Sequence, residues 1–142
     1  MAVRRKNGEE GFTLFELLVV LAILGLLAAI VGPPVVRYLG SSRTQTAKVQ
    51  AKNVASALEL YRLDVGRYPT AQEGLQALVT QPVPPPVGWN GPYLPQVSAL
   101  VDPWGKPYRF QAPGKHGEVD VWSAGSDGVE GGTGEAADVG SW

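Results

Sequence analysis

Gly11-Phe12-Thr13-Leu14-Phe15-Glu16-Leu17-Leu18-Val19-Val20 opens an apolar run that continues to Gly32, with Glu16 as its only charge. From Phe12 to Gly32 the run is 21 residues long; as a helix it measures roughly 31 Å, close to the ~30 Å hydrocarbon core of a bilayer. A single transmembrane helix is the first reading. Arg4, Arg5 and Lys6 precede it, so the positive-inside bias places the N-terminus in the cytoplasm and the bulk of the chain outside. A conventional signal peptide is the plainer alternative. Its apolar region would be about 7–15 residues long and end at a small-x-small site; here the run is longer, carries an acid and ends in Pro33-Pro34.

The rest of the 142-residue chain is long enough for one small domain. Without residues 1–11 it has 9 Lys and Arg against 11 Asp and Glu, so its formal charge is −2 and no basic patch points to nucleic acid. Cysteine is absent, which removes disulfides and thiolate metal sites. Pro33-Pro34 is expected to interrupt the helix, because proline lacks an N–H and clashes with the preceding turn. The helical pattern then resumes. Ala47, Ala51, Val54, Leu58, Tyr61 and Val65 are spaced by three and four residues and form one stripe, with Gly66 as its stop. One helix of about 50 residues, kinked or loosened at the prolines, therefore runs from the membrane into the soluble domain.

Thr70-Ala71-Gln72-Glu73 has the form of a capping box, which predicts a short second helix through about Thr80 that buries Leu75, Leu78 and Val79. Pro82 to Tyr93 is too proline-dense for a helix or a central strand and reads as an ordered extended loop whose aromatics dock on the domain. Asp102 to Pro107 reads as a turn. Tyr108–Gln111 and Glu118–Trp122 alternate across Pro113-Gly114-Lys115-His116-Gly117, a hairpin pattern. After Ser123 the chain is glycine-rich and reads as irregular to its end. The class is α+β: a protruding N-terminal helix packed on a small antiparallel sheet.

Glu118 to Trp142 holds six acids, six glycines and no Lys or Arg. A hard divalent cation would relieve the repulsion, since Ca²⁺ takes 6–8 oxygens from carboxylates and carbonyls, and glycine lets the chain curl around it. A solvated acidic tail explains the same composition. Asp127-Gly128-Val129-Glu130 lacks the start of an EF-hand, and Ala136 stands where a calcium β-roll wants Asp. Glu16 also has two readings. Near the interface its carboxylate snorkels to water. Alternatively it meets a cation, and cleavage after Gly11 would supply one as the α-amino group of Phe12.

Gly11-Phe12-Thr13-Leu14-Phe15-Glu16 ahead of a long apolar helix resembles a type IV prepilin processing site. The resemblance implies that a membrane-embedded prepilin peptidase cuts after Gly11 and methylates Phe12. It also implies that Glu16 guides assembly by pairing with a neighbour's N-terminal amine. Leu60-Tyr61-Arg62-Leu63-Asp64-Val65-Gly66-Arg67-Tyr68-Pro69-Thr70, Gln72 to Leu78, Asp102 to Tyr108, Pro113 to Glu118 and Asp127 to Trp142 extend the likeness along the chain. Together they resemble the G-type major pseudopilins of type II secretion systems. Phe15, where an aliphatic residue is usual, Pro34 and the proline run from Pro82 depart from that pattern.

The resemblance implies a pilin-like fold in three parts: a leader over 1–11, a membrane and filament-core helix over 12–32, and a periplasmic domain over 33–142 with a calcium-binding loop. In that loop Asp127 and Asp138 are the expected side-chain ligands, with the carbonyls of Ala124, Val129 and Thr133. The implied function is that of a structural subunit, not an enzyme, waiting in the inner membrane and polymerising into a periplasmic pseudopilus. Its implied partners are further copies of itself, the prepilin peptidase, minor pseudopilins and an inner-membrane assembly platform. Two rivals stand beside this reading. One is a type IV pilin of an external adhesion or motility pilus; the other is a membrane-anchored hydrolase using His116 with Ser123 or Asp120.

Overall fold

In the computed structural model the described residues are 11–142. The leader expected over 1–11 therefore lies outside them except for Gly11. The chain forms two compact units that divide between Arg37 and Tyr38. One helix, α1 (Leu14–Val65), is assigned through both prolines without a break. The expected interruption does not occur. Pro33 and Pro34 each remove one N–H donor, but the turns on either side keep helical geometry.

In the N-terminal unit the apolar residues of α1 face outward. Its large hydrophobic side chains from Leu14 to Val35 are 40–78% exposed, and the segment is long and apolar enough to cross a membrane. In the Tyr38–Trp142 unit α1 has a buried stripe. Ala47, Ala51, Val54, Leu58 and Tyr61 are closed off from solvent and Val65 is partly buried, as the spacing predicts. Gly66 ends the helix in the left-handed region (φ 83°), and its N–H donates to the Arg62 carbonyl at 2.8 Å.

The Thr70–Glu73 box forms reciprocally. Thr70 N–H donates to the Glu73 carboxylate (2.7 Å), and Glu73 N–H donates to the Thr70 hydroxyl (3.3 Å). An α-helix does not follow it. Gly74 resets the chain at φ 60°, and Leu75–Leu78 form a 3-10 turn that buries Leu75, Ala77 and Leu78, with Val79 only partly covered. Arg67 grips Glu73 with both guanidinium nitrogens (2.6 and 2.8 Å). These bonds, led by Arg67 and joined by Thr70, hold the Glu73 carboxyl at about 2, well below its ordinary value.

A pH dependence follows from that depression. The contribution is fully present above about pH 4.5, where the unfolded chain's Glu73 is ionised, and is lost as pH falls toward about 2. Discounted for the half-exposed guanidinium, it amounts to about 2 kcal/mol. Urea unfolding of wild type and Glu73→Gln is expected to differ by about that amount at pH 6 and to converge near pH 2. A gap independent of pH would show that the ion pair contributes nothing.

The proline-rich loop is ordered by its aromatics, as expected. Trp89 Nε1 donates to the Ala77 carbonyl (2.9 Å), and the Tyr93 hydroxyl donates to Asp64 (2.9 Å). Tyr93 meets Tyr61 and Trp89 edge-on, with centroids 5.7 and 5.8 Å away. The hairpin is β1 (Arg109–Gln111) and β2 (Asp120–Ser123), antiparallel with Phe110 opposite Val121. Both strands are shorter than the alternation suggests, because the N–H groups of Lys115 and His116 turn inward to Asp120 (2.7 and 3.0 Å). A third strand, β3 (Val139–Gly140), pairs with the far edge of β2, Ser123 opposite Val139. The C-terminal segment is therefore not irregular to its end: it adds one edge to the sheet.

Candidate functional site

Three places carry the chemistry anticipated from the sequence. The first is the start of α1. Gly11 and Phe12 precede the helix and are exposed, leaving the bond between them accessible. Thr13 N–H and the Thr13 hydroxyl both donate to Glu16 Oε2 (2.8 and 2.9 Å), and Glu16 N–H donates back to the Thr13 hydroxyl (3.2 Å). This is a second capping box. Thr13-x-x-Glu16 has the same T-x-x-E spacing as Thr70-x-x-Glu73. That signal is present in the sequence, yet Thr13 is not among the residues singled out from it. Both Thr13 donors go to Oε2; among the described residues Oε1 makes no hydrogen bond.

The second place is the C-terminal loop between β2 and β3. Five glycines at positive φ curl it: Gly125, Gly128, Gly131, Gly132 and Gly134. Two of them allow close crossings. A Cβ on Gly125 would lie 2.7 Å from the Glu135 carbonyl oxygen, and one on Gly132 would run into the Ala136 carbonyl. Asp127 Oδ1 accepts from Val129 N–H (3.0 Å), and Asp138 Oδ2 accepts from Gly131 N–H (3.0 Å). The carbonyls of Ala124 and Thr133 accept from Gly128 and Ala136 N–H (both 3.2 Å).

Other acids of this region have partners elsewhere. Glu118 pairs with Arg62 (3.2 Å) and Glu130 with Arg109 (3.3 Å). Glu135 accepts from Trp104 Nε1 (3.3 Å) and lies against the buried Gly40. Asp127 and Asp138 are held by loop N–H groups, each through one oxygen. Among the described residues no three of His, Asp and Glu gather in a metal-holding group. A cation here would thus draw on two carboxylates and on main-chain carbonyls. That all-oxygen donor set suits Ca²⁺ and not a metal that prefers nitrogen or sulfur.

The third place is His116. Its Nδ1 is 3.0 Å from Asp120 Oδ2, and its ring stacks on Trp142 (4.0 Å between centroids, 15° between planes). Burial alone would push the Asp120 carboxyl up. The N–H donors of His116 and Lys115 outweigh it and hold the carboxyl below its ordinary value. Ser123 is not part of this group. Its hydroxyl is buried and donates to Asp102 Oδ2 at 2.5 Å. Asp102 Oδ1 in turn accepts from the N–H groups of Trp104 (3.0 Å) and Lys106 (2.8 Å). Ser123 therefore ties the Asp102–Pro107 turn to β2.

Comparison with known proteins identifies the family. Residues 34–142 match the family described as Type II secretion system (T2SS), protein G, and residues 6–32 match the prokaryotic N-terminal methylation motif. The chain is 45% identical over 141 residues to the type II secretion system core protein G of Pseudomonas aeruginosa, covering 97% of this chain and 98% of that protein. It is 39% identical over 142 residues to the core protein G of Vibrio cholerae, covering 99% and 96%. The crystal structure of the major pseudopilin from the type 2 secretion system of enterohaemorrhagic Escherichia coli resembles it with a TM-score of 0.62. The identity there is 33%, over 74% of this chain and 87% of that one. By sequence along nearly its whole length, and by fold, the chain belongs to the type II secretion system protein G family.

Proposed function

We propose that this chain is the major structural subunit of a type II secretion pseudopilus, polymerising in the periplasm to help move folded proteins across the outer membrane. The observation that carries the reading is the apolar surface of α1. From Leu14 to Val35 its large side chains stay exposed among the described residues, and burying each fully would yield about 1.5–3 kcal/mol. Lipid supplies that cover first, and neighbouring copies of the same helix supply it after assembly. The N-terminus faces the cytoplasm while the subunit waits in the inner membrane. A prepilin peptidase cuts after Gly11 and methylates Phe12. The Phe12 ammonium then meets the free Glu16 oxygen of a neighbour and sets its axial position. Minor pseudopilins and an inner-membrane assembly platform complete the machinery. The family match favours this reading over an external type IV pilus. The pairing of Ser123 with Asp102 supports a structural role over a Ser–His hydrolase.

Intact mass and N-terminal sequencing of chain purified from its membrane test the processing step. The expected product begins at N-methylated Phe12; functional filaments made of chains that retain Met1 to Gly11 would overturn it.

A calcium ion belongs to the same proposal. Asp127 and Asp138 would hold it, with the carbonyls of Ala124, Val129 and Thr133. Bound there, it would supply positive charge that draws the glycine-rich turns together. Calcium at a hundredfold excess over its dissociation constant is expected to stabilise the fold by about 2.7 kcal/mol, a rise in melting temperature of roughly 10 °C or more. Chelator should reverse the rise, and Asp127→Asn or Asp138→Asn should abolish it. A melt indifferent to both ion and chelator would remove the site.

A further inference from the structure

The sheet has a face that the core does not use. Phe110 and Val121 pack inward, so alternation turns Gln111 on β1, Asp120 and Trp122 on β2 and Gly140 on β3 to the opposite side. Ser141 carries the pairing one residue past β3. Its N–H donates to the Val121 carbonyl (2.9 Å), and its hydroxyl accepts from Val121 N–H (3.2 Å). Trp142 thereby comes to the same side as Trp122. Gly140 makes room for it, since a Cβ there would run into the indole, and the His116 ring backs it from the turn over 113–117. The two tryptophans line a groove of about 270 Å³ together with Gln111, Lys115 and Asp120.

With His116 neutral, the groove carries little net charge to offer. Two of its three acids are already answered: Glu130 by Arg109, and Asp120 through Oδ2 by the N–H groups of Lys115 and His116. Asp138 then stands against the Lys115 ammonium, and a small ion of either sign gains little there. The hydrogen-bonding capacity that remains is of both kinds. Asp120 Oδ1 makes no hydrogen bond among the described residues, and Gly114 leaves it open, because a Cβ there would stand 2.7 Å away. Gln111 and Lys115 are exposed and add an amide and an ammonium. Indoles beside mixed donors and acceptors fit a ring with an apolar face and a polar rim. A glucose-type pyranose is such a ring: its hydroxyls are equatorial, and its axial C–H groups form a flat apolar face. We propose that this groove binds a sugar unit of a neutral β-linked glycan. The pyranose face lies against the indoles, Asp120 Oδ1 and Gln111 accept from its hydroxyls, and Lys115 donates to them. The site is independent of Glu16 and of the apolar half of α1, so it does not rest on polymerisation.

Tryptophan fluorescence of the full chain tests the site, in a detergent without a sugar headgroup and with calcium present. The chain is titrated with chitotriose, with cellotriose and with trilysine. A trisaccharide is expected to give a saturable change with a dissociation constant of about 1 mM. Tighter binding of chitotriose assigns an N-acetylated glycan, and equal or tighter binding of cellotriose a glycan without that group. Trp142→Ala is expected to weaken binding by at least about tenfold. Gln111→Ala and Lys115→Ala should each weaken it by about threefold with the melting temperature unchanged, and they keep the test decisive if Trp142→Ala does not fold. No saturable change with either sugar up to about ten times the expected constant overturns the site. So does saturation by trilysine alone, or sugar binding that survives all three substitutions. Failure of the chain to form filaments would leave this site standing and overturn only the pseudopilus reading.

Discussion

Cells whose only copy of this chain carries Glu16→Ala are expected to lose filaments by at least about tenfold, while cleavage after Gly11 proceeds. The reason lies in how the carboxylate is divided. Oε2 takes the Thr13 N–H and hydroxyl, which secures the start of α1, and among the described residues Oε1 has no partner. Among apolar helices a carboxylate is costly unless a cation answers it, and the freed Phe12 amine is the cation that processing creates. Glu16→Gln separates the two roles. Glutamine keeps an acceptor for Thr13 N–H but has no charge to offer a neighbour's ammonium. If pairing governs assembly, Glu16→Gln fails as completely as Glu16→Ala, and Thr13→Ala retains most filaments. Normal filaments from Glu16→Gln would reduce Glu16 to a helix cap. Electron microscopy of sheared material and immunoblotting for the processed form read both arms.

The largest effect on stability is expected at Asp102, which is 5% exposed. Its two oxygens gather three donors: the N–H groups of Trp104 and Lys106, and the Ser123 hydroxyl. Alanine would leave these without their acceptor, each at about 1–3 kcal/mol if no water replaces it. Asp102→Ala should therefore cost about 3–5 kcal/mol, a large share of the ~5–15 kcal/mol that stabilises a domain. Asp102→Asn keeps the shape and should cost about half as much. Ser123→Ala takes the donor from Asp102 Oδ2 and the acceptor from Gly125 N–H, while Oδ1 keeps its two donors, and should cost about 2 kcal/mol. Urea unfolding of a fragment beginning at Tyr38, followed by tryptophan fluorescence, measures all three. An unmoved midpoint in Asp102→Ala would mean that the turn does not depend on this carboxylate.

Features built from neighbours in sequence were legible. The buried stripe of α1 follows from three- and four-residue spacing, and the Thr70–Glu73 box from its pattern. The hairpin follows from two alternating runs around a glycine-rich turn, and the docked loop from aromatics among prolines. The box at Thr13 and Glu16 is equally local; it escapes notice because Glu16 stands out as an isolated charge rather than as the fourth residue of a motif. Features that depend on distant segments were not legible. β3 is two residues, one of them glycine, and becomes a strand only because the edge of β2 is free to pair with it. The second helix shortened to a 3-10 turn because Gly74 takes a positive φ that one residue type allows but does not require.

The six acids from Glu118 onward divide along the same line. Composition shows an unbalanced run, and that imbalance is real in the sequence. Folding brings Arg62 to Glu118, Arg109 to Glu130, Trp104 to Glu135 and His116 to Asp120, and it leaves Asp127 and Asp138 on loop N–H groups. Ser123 shows the same in reverse: a candidate nucleophile by residue type, it is a buried tie to Asp102 once the sheet forms. Periodicity over a few positions was enough to dictate a greasy helix, its buried stripe and its local turns. Which charges are matched and which remain available was left to folding. Arg109 and Trp104 stand 21 and 31 positions from the acids they answer, and they reach them only when the core closes.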